Sequence, residues 1–395
     1  MRENIISFLS SCNDDIKNLC TYLHDNPEIS YHEFKASKYI CNLLRKYDFE
    51  ISTNFLDIEN AFIATKGSGH PKICYLCEYD AIKDEGHITG HNLVSTISVA
   101  AALALGNVID KIGGSVILIG SPGEYLGGTK GTMVKQGVFD DIDVVMLAHP
   151  DISTCESGSS SSIIPLGLKF EGENKLTFLN KNSYSSLDGV LLTLNILNSI
   201  KKGFPDNLEI NSIISNGGYT TLLLPSNSEI KFCIRASDTK TANYAYDKIR
   251  KIANYASKLI DIPNTFFLYE SPNRELITNR TLNRLFSHNL KENGIININP
   301  PKDVYAGLSI GDVSHKVPCI HPYISITDDN VIKYGTLDFA KATVSSFAFK
   351  QCHIVAASLA LTGIDLIKNK TLLNEVKTEF FNNTKNQIWY LLNNL

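Results

Sequence analysis

The chain has 395 residues, 43% of them hydrophobic and 20% charged, with a formal net charge of −4. That is an ordinary globular composition, and at ~150 residues per domain the length asks for two domains or more. No basic stripe appears, so nucleic acid and anionic membrane are poor partners, and no run approaches the ~18 apolar residues that span a bilayer.

Charges enter MRENIISFLSSCNDDIKN too early for a secretory segment. Ile5, Ile6, Leu9, Ile16, Leu19, Cys20 and Leu23 keep helical spacing, which predicts an amphipathic helix stopped by Asn26-Pro27. Residues 34–46 predict a second such helix. AFIATK, a GSGHP turn and KICYLCEY, between Ala61 and Tyr79, read as a hairpin whose second arm is covered on both faces. A loop at 83–92 leads into the apolar helix LVSTISVAAALALGNVIDK. SVILIGS is a buried strand, 130–137 a short helix, and DVVMLAHP a strand ending in His149.

The texture changes near Ile163. LGLKFEG, a helix at 187–201, EINSIISNGG, SEIKFCIRAS and a helix at 239–260 give the order of a small α+β domain. The chain then returns to its first domain through the helical TLNRLFSHNLKENG, the strand CIHPYISI and the long helix TVSSFAFKQCHIVAASLALTGIDLI. Strands alternating with helices predict an α/β domain with a mostly parallel sheet, whose ligands bind at the carboxyl ends of the strands. Asp80, Glu124 and His149 all sit at such ends.

The nine cysteines are an odd count without framework spacing and read as buried, reduced thiols of a cytosolic protein. Cys74 and Cys77 form a CxxC pair inside a strand-like run, where residues three apart face opposite sides. That argues against a shared metal or a redox disulfide. Cys155 and Cys319 lack a partnered histidine by spacing and read as apolar fillers.

Three residues stand out as carriers of chemistry. His91 lies in EGHITGHN, where Gly86 and Gly90 argue against a helix presenting His87 and His91 together. Glu124, in SPGEYLGG, is placed at a strand end for work as a general base. His149 precedes Pro150. Zinc asks for at least three protein ligands, and this trio reaches that number only if Glu124 coordinates. The plainer alternative is a structural strand-end histidine, with Glu124 paired to a lysine or capping a helix.

The stretch CEYDAIKDEGHITGHN resembles the CEYDALPGIGHACGHN segment of the aminoacylase and carboxypeptidase-type dimetal metallopeptidases. The nearest branch holds β-alanyl-lysine dipeptidase, p-aminobenzoyl-glutamate hydrolase and the indole-acetyl-amino-acid hydrolases. NPEISYHEFKASK, SPGEYLGGTKGTMVKQGVFDDIDVVMLAHP and IGDVSHKVPCIHPYISI match further segments in order, so the resemblance covers nearly the whole chain. It implies an α/β catalytic domain from residues 1–165 and 276–395. An α+β, ferredoxin-like lid and dimerisation domain at 166–275 is inserted between, and it pairs the chain as a homodimer.

The resemblance also implies two metals held by a bridging Cys, three His and a Glu. His91 and His149 are kept, and Glu124 matches the general base. The bridging Cys falls on Thr89, the Glu ligand on Tyr125 and the last His on Gly335. Tyr125 and Gly335 belong to the same ion, so that seat is implied to be empty. The other seat keeps both histidines but has the weakly binding Thr89 hydroxyl in place of a thiolate. Among substrate contacts, the oxyanion His falls on Leu176, a lid Asn on Leu222 and an Asp on Ser309, while Arg235 is kept; Asp80 and Asn92 join this set. Removing one oxyanion donor costs ~100- to 1,000-fold in rate, and removing a metal takes away a Lewis acid as well.

The expected function is therefore a divergent enzyme acting on an amide or acyl bond of a small molecule, acyl-amino acid or dipeptide-like, without the usual dimetal centre. Glu124, Tyr125 and Thr89 are its expected catalytic groups, and acyl transfer or amide formation its expected redirection. Two alternatives stand beside it: an amide hydrolase using one metal or none, and an inactive relative that binds a ligand or partner. The expected cofactor is none, or one zinc or manganese at His91 and His149, with Asp80 or Glu124 as a further ligand and Glu78, Glu85 and His87 as unfamiliar ones. The expected place of work is the cytoplasm.

Overall fold

A computed structural model describes the backbone of residues 1–392 and side chains to residue 383. The chain divides into two compact units. The first comprises Met1–Ser159, Leu276–Val304 and Ser309–Leu395, and the second Ser160–Glu275 with Tyr305–Leu308.

The first unit is built on a six-stranded sheet in the order Glu50–Thr53, Phe62–Ser68, Gly114–Gly120, Lys72–Cys77, Val144–Met146 and Cys319–Ile320. The last four strands run parallel to one another; the first two join antiparallel. Gly114–Gly120 and most of Lys72–Cys77 are wholly buried, as strands covered by helices on both faces must be. The fully buried helix His91–Gly106 and the long helix Ser346–Lys368 pack together in this core. Ser346–Lys368 is long and apolar enough to cross a membrane, contrary to the sequence reading, but 67% of its apolar window is buried inside the protein.

Three local expectations are corrected. Phe62–Ser68 and Lys72–Cys77 are not a hairpin, because Gly114–Gly120 runs between them and bonds to both. The turn joining them is held open by Ser115, whose N–H donates to the Pro71 carbonyl at 3.0 Å and whose hydroxyl donates to that of Gly69 at 2.8 Å. The N-terminal helix is two helices, Arg2–Ser11 and Asn13–Asp25. The hydroxyls of Ser10 and Ser11 donate to the Ile6 and Phe8 carbonyls, competing with the helical ladder before the break at Cys12. The strand expected to end in His149 ends at Met146. His149–Asp151 instead pairs in parallel with Tyr323–Ser325, in a separate four-stranded sheet.

The second unit has a four-stranded antiparallel sheet in the order Leu208–Asn216, Asn227–Ala236, Ser162–Glu171, Asn264–Leu268. The helices Ser186–Ile200 and Thr239–Ile260 cover one face, giving the ferredoxin-like order β-α-β-β-α-β. Ile230, Phe232 and Ile234 alternate into its core, with the residues between them partly exposed, which is the period of a half-covered strand.

Candidate active site

The parallel strands deliver their chemistry where they end. Glu78 and Asp80 follow Lys72–Cys77, Glu124 follows Gly114–Gly120, and His149 lies just past Val144–Met146. His91 opens the buried helix, behind Gly90, whose φ of 87° is a left-handed conformation suited to glycine.

Ligand atoms of Glu78, His91 and His149 lie within 4.8 Å of one another, and all three residues are buried. Each imidazole is oriented by its far nitrogen. His91 Nδ1–H donates to Asp80 Oδ1 at 2.8 Å, leaving Nε2 at 3.8 Å from Glu78 Oε2. His149 Nδ1–H donates to the Pro150 carbonyl at 2.8 Å, which leaves its Nε2 as the remaining donor atom. Two imidazoles aimed by second hydrogen bonds, with one carboxylate, are a donor set for a single divalent cation with an open position. Burial disfavours a proton on His91, but Asp80 and Glu78 outweigh it and hold its pKa above the ordinary value. Burial and the neighbouring His91 push His149 down. Binding a cation would expel any proton from His91.

Asp80 is thereby a positioning group; it also accepts from Ser30 Oγ at 2.7 Å and from the Tyr125 N–H at 3.0 Å. The Tyr125 ring stacks on His91 with centroids 4.5 Å apart. Its hydroxyl is hydrogen-bonded to Thr89 Oγ1, and Tyr334 also interacts with Thr89. Burial pushes both phenols well above their ordinary range, so they are neutral hydrogen-bonding groups. Gly335 follows Tyr334 on this side, its N–H donating to the Ile88 carbonyl at 3.2 Å.

Glu124 lies on the opposite side of Glu78. Its Oε1 accepts from the Ser309 N–H at 2.9 Å, and its Oε2 accepts from Lys130 Nζ at 2.7 Å and from the Ser309 hydroxyl. Lys130 also donates to Glu78 Oε1 at 2.7 Å and to Ser309 Oγ at 2.9 Å. Gly128, at φ +68°, permits this cluster: a Cβ there would meet Ser309 Oγ at 2.5 Å and Glu124 Oε2 at 2.6 Å.

The structure thus brings together Thr89, His91, Glu124, Tyr125, His149 and Asp80, with Gly335 beside them. Asn92 points elsewhere, its amide donating to Thr343 Oγ1 at 2.8 Å in the core. Buried His87 is turned toward the Leu23 carbonyl at 3.1 Å. Arg235, Leu176 and Leu222 belong to the second unit, where Arg235 pairs with Glu209 at 3.2 Å and Leu222 is exposed. The nine cysteines are free thiols, and all but Cys233 are buried. Burial raises the Cys12 and Cys41 thiols to about 11, as fits inert filler.

Lys130 and His321 were not singled out in the sequence. His321 is buried with its ring centroid 5.4 Å from that of His149. A lysine between Gly127-Gly128 and Gly131, six residues after Glu124, was the available signal for the first. The match of the whole IGDVSHKVPCIHPYISI segment pointed only at the neighbourhood of the second.

No family model matches the chain. Over 322 residues it is 30% identical to the Xaa-Arg dipeptidase of Mus musculus, spanning 78% of this chain and 73% of that protein. The chain belongs to the aminoacylase and carboxypeptidase-type metallopeptidases, the M20 family. It is also 30% identical to a p-aminobenzoyl-glutamate hydrolase polypeptide of Escherichia coli over 262 residues, 60% of this chain and 54% of that polypeptide. A Bacillus subtilis dinuclear metal-binding peptidase of the M20 family superposes with a TM-score of 0.65 at 15% identity, over 90% of this chain and 99% of that one. The family's fold is therefore present throughout, including the α/β sheet that carries the pocket.

Proposed function

We propose that this M20 chain is an enzyme of small-molecule amide bonds, acting on acyl-amino acid or dipeptide-like substrates with one divalent cation in place of a pair. The observation that carries this reading is the Glu78, His91 and His149 cluster, with both imidazoles aimed by their far nitrogens. Support for the substrate class comes from the relatives, a dipeptidase and an aminobenzoyl-glutamate hydrolase. These three residues would hold zinc or manganese, which supplies Lewis-acid polarisation of a carbonyl.

The rest of the reading concerns side chains. Tyr125, Thr89 and Tyr334 fill the space beside His91 with phenol, alcohol and aromatic surface, which supports a single cation there. Glu124 is the proposed proton acceptor, presented by the Ser309 backbone N–H. Arg235 is the proposed contact for a substrate carboxylate. The chain pairs as a homodimer in this reading: Ile213 and Ile214 are exposed on Leu208–Asn216, an edge strand of its sheet. The buried free thiols support a reducing, cytoplasmic setting.

Two measurements test it. Protein purified without chelators is expected to carry one zinc or manganese per chain, and none at all would defeat the metal-dependent reading. With a panel of N-acyl amino acids and dipeptides, Glu124→Gln is expected to lower kcat by ~100-fold or more. A cognate reaction whose rate survives Glu124→Gln removes Glu124 from the chemistry.

A further inference from the structure

Lys130 is wholly buried, and its ammonium makes three hydrogen bonds, to Glu78 Oε1 and Glu124 Oε2 at 2.7 Å each and to Ser309 Oγ at 2.9 Å. Three donors on one ammonium are thereby spent. Both carboxylates it touches are themselves nearly or wholly out of water, where an unpaired charge is costly. Glu78 has one oxygen on this ammonium and the other facing His91 and the cation seat.

We infer that Lys130 is a covalently tethered cation: its ammonium holds the Glu78 and Glu124 side of the pocket against a further metal ion and shares the Glu78 carboxylate with the ion proposed at Glu78, His91 and His149. The inference rests on the proposed seat at Glu78, His91 and His149, but its own content is the competition. Glu124 already accepts three hydrogen bonds from Lys130 and Ser309, which leaves one lone pair on Oε1, enough to take a proton but little with which to hold an ion. A divalent ion on Glu78 would share a desolvated carboxylate with the ammonium, and like charges at that range repel strongly in a low dielectric. The site therefore takes one ion at most, and takes it less tightly than its ligands alone would allow. The tether removes the need for metal supply to keep Glu78 and Glu124 neutralised.

The test is calorimetric titration of the chelator-treated full chain with zinc and with manganese ions at neutral pH. The wild type is expected to bind one ion per chain. Lys130→Met is expected to bind at least 10-fold more tightly or to accept a second ion, because two buried carboxylates have lost their cation. Lys130→Arg, which keeps the charge, is expected to stay within about threefold of wild type. Should Lys130→Met not fold, the double variant Lys130→Met/Glu124→Gln removes charge from both partners, frees Glu78 and is expected to bind more tightly as well. Unchanged or weaker binding by Lys130→Met, or by that double variant in its place, overturns the inference and makes the lysine a support for Glu78 as a ligand. A wild type that binds no ion, beside a Lys130→Met that does, defeats the proposed resident metal while upholding the tethered cation.

Discussion

The two sides of the pocket handle polarity in opposite ways. On one side Lys130, Glu124 and Ser309 close on themselves, with the ammonium donating to every neighbour in reach. On the other, His91 and His149 are tied only at Nδ1, and their Nε2 atoms converge with Glu78 on a common point. A closed network fixes geometry and resists change; an aimed but open donor set is built to receive something. Glu78 belongs to both sides, which is why a perturbation of either should be felt by the other.

The sharpest way to break this contrast is His149→Ala. It should weaken zinc binding by on the order of 100-fold or more, since a three-ligand site becomes a two-ligand one, while leaving the Lys130 cluster intact. Calorimetry reads the affinity, and an unchanged dissociation constant would show that the open side is no ligand set. On the closed side, Glu124→Ala strands a buried ammonium. A loss of about 3 kcal/mol in urea unfolding is expected, at the low end for breaking a buried pair because Glu78 still partners Lys130.

Glu33 sharpens the picture at the rim of the closed side. It is fully buried, accepts from the Gly123 N–H at 2.7 Å, and is raised to about 7, by burial first and the Asp80 charge second. The folded chain then keeps this proton to about pH 7, whereas an ordinary glutamate releases it near 4.5. Between those values the folded state binds more protons, so stability should fall as pH rises from about 4.5 to 7 and level off above. Glu33→Gln should flatten that slope, worth about 3 kcal/mol, in unfolding curves collected across this range. A slope that survives the substitution assigns it to other groups. Smallest is Tyr125→Phe, which removes one neutral hydrogen bond to Thr89 and should cost about 1 kcal/mol, with metal affinity nearly unchanged; a tenfold fall in affinity would place the phenol in the ligand set.

The fold class was legible because periodicity is a local signal. Ile230, Phe232 and Ile234 announce a half-covered strand, and SVILIGS a fully covered one. Pairing is a distant property, which is why Phe62–Ser68 and Lys72–Cys77 read as a hairpin although Gly114–Gly120 lies between them. The same distinction runs through the site. His91, Glu124 and His149 were visible as strand-end or loop residues matching a motif, and Thr89 and Tyr125 as departures from it. Lys130 was marked only by its flanking glycines, because a lysine is ordinarily a surface residue; only the convergence of Glu78, Glu124 and Ser309 makes its burial tolerable. Ser309, at 179 positions from Lys130, has no local feature that announces that contact.

That separation bears on synthesis. The ribosome delivers Glu78, His91, Glu124, Lys130 and His149 early, then spends more than a hundred residues on the second unit before Ser309 and the Cys319–Ile320 strand emerge. Nascent chains halted before Ser309 would hold a buried-charge cluster short of one partner and a sheet short of its last parallel strand. The pocket is therefore among the last parts of the molecule to mature.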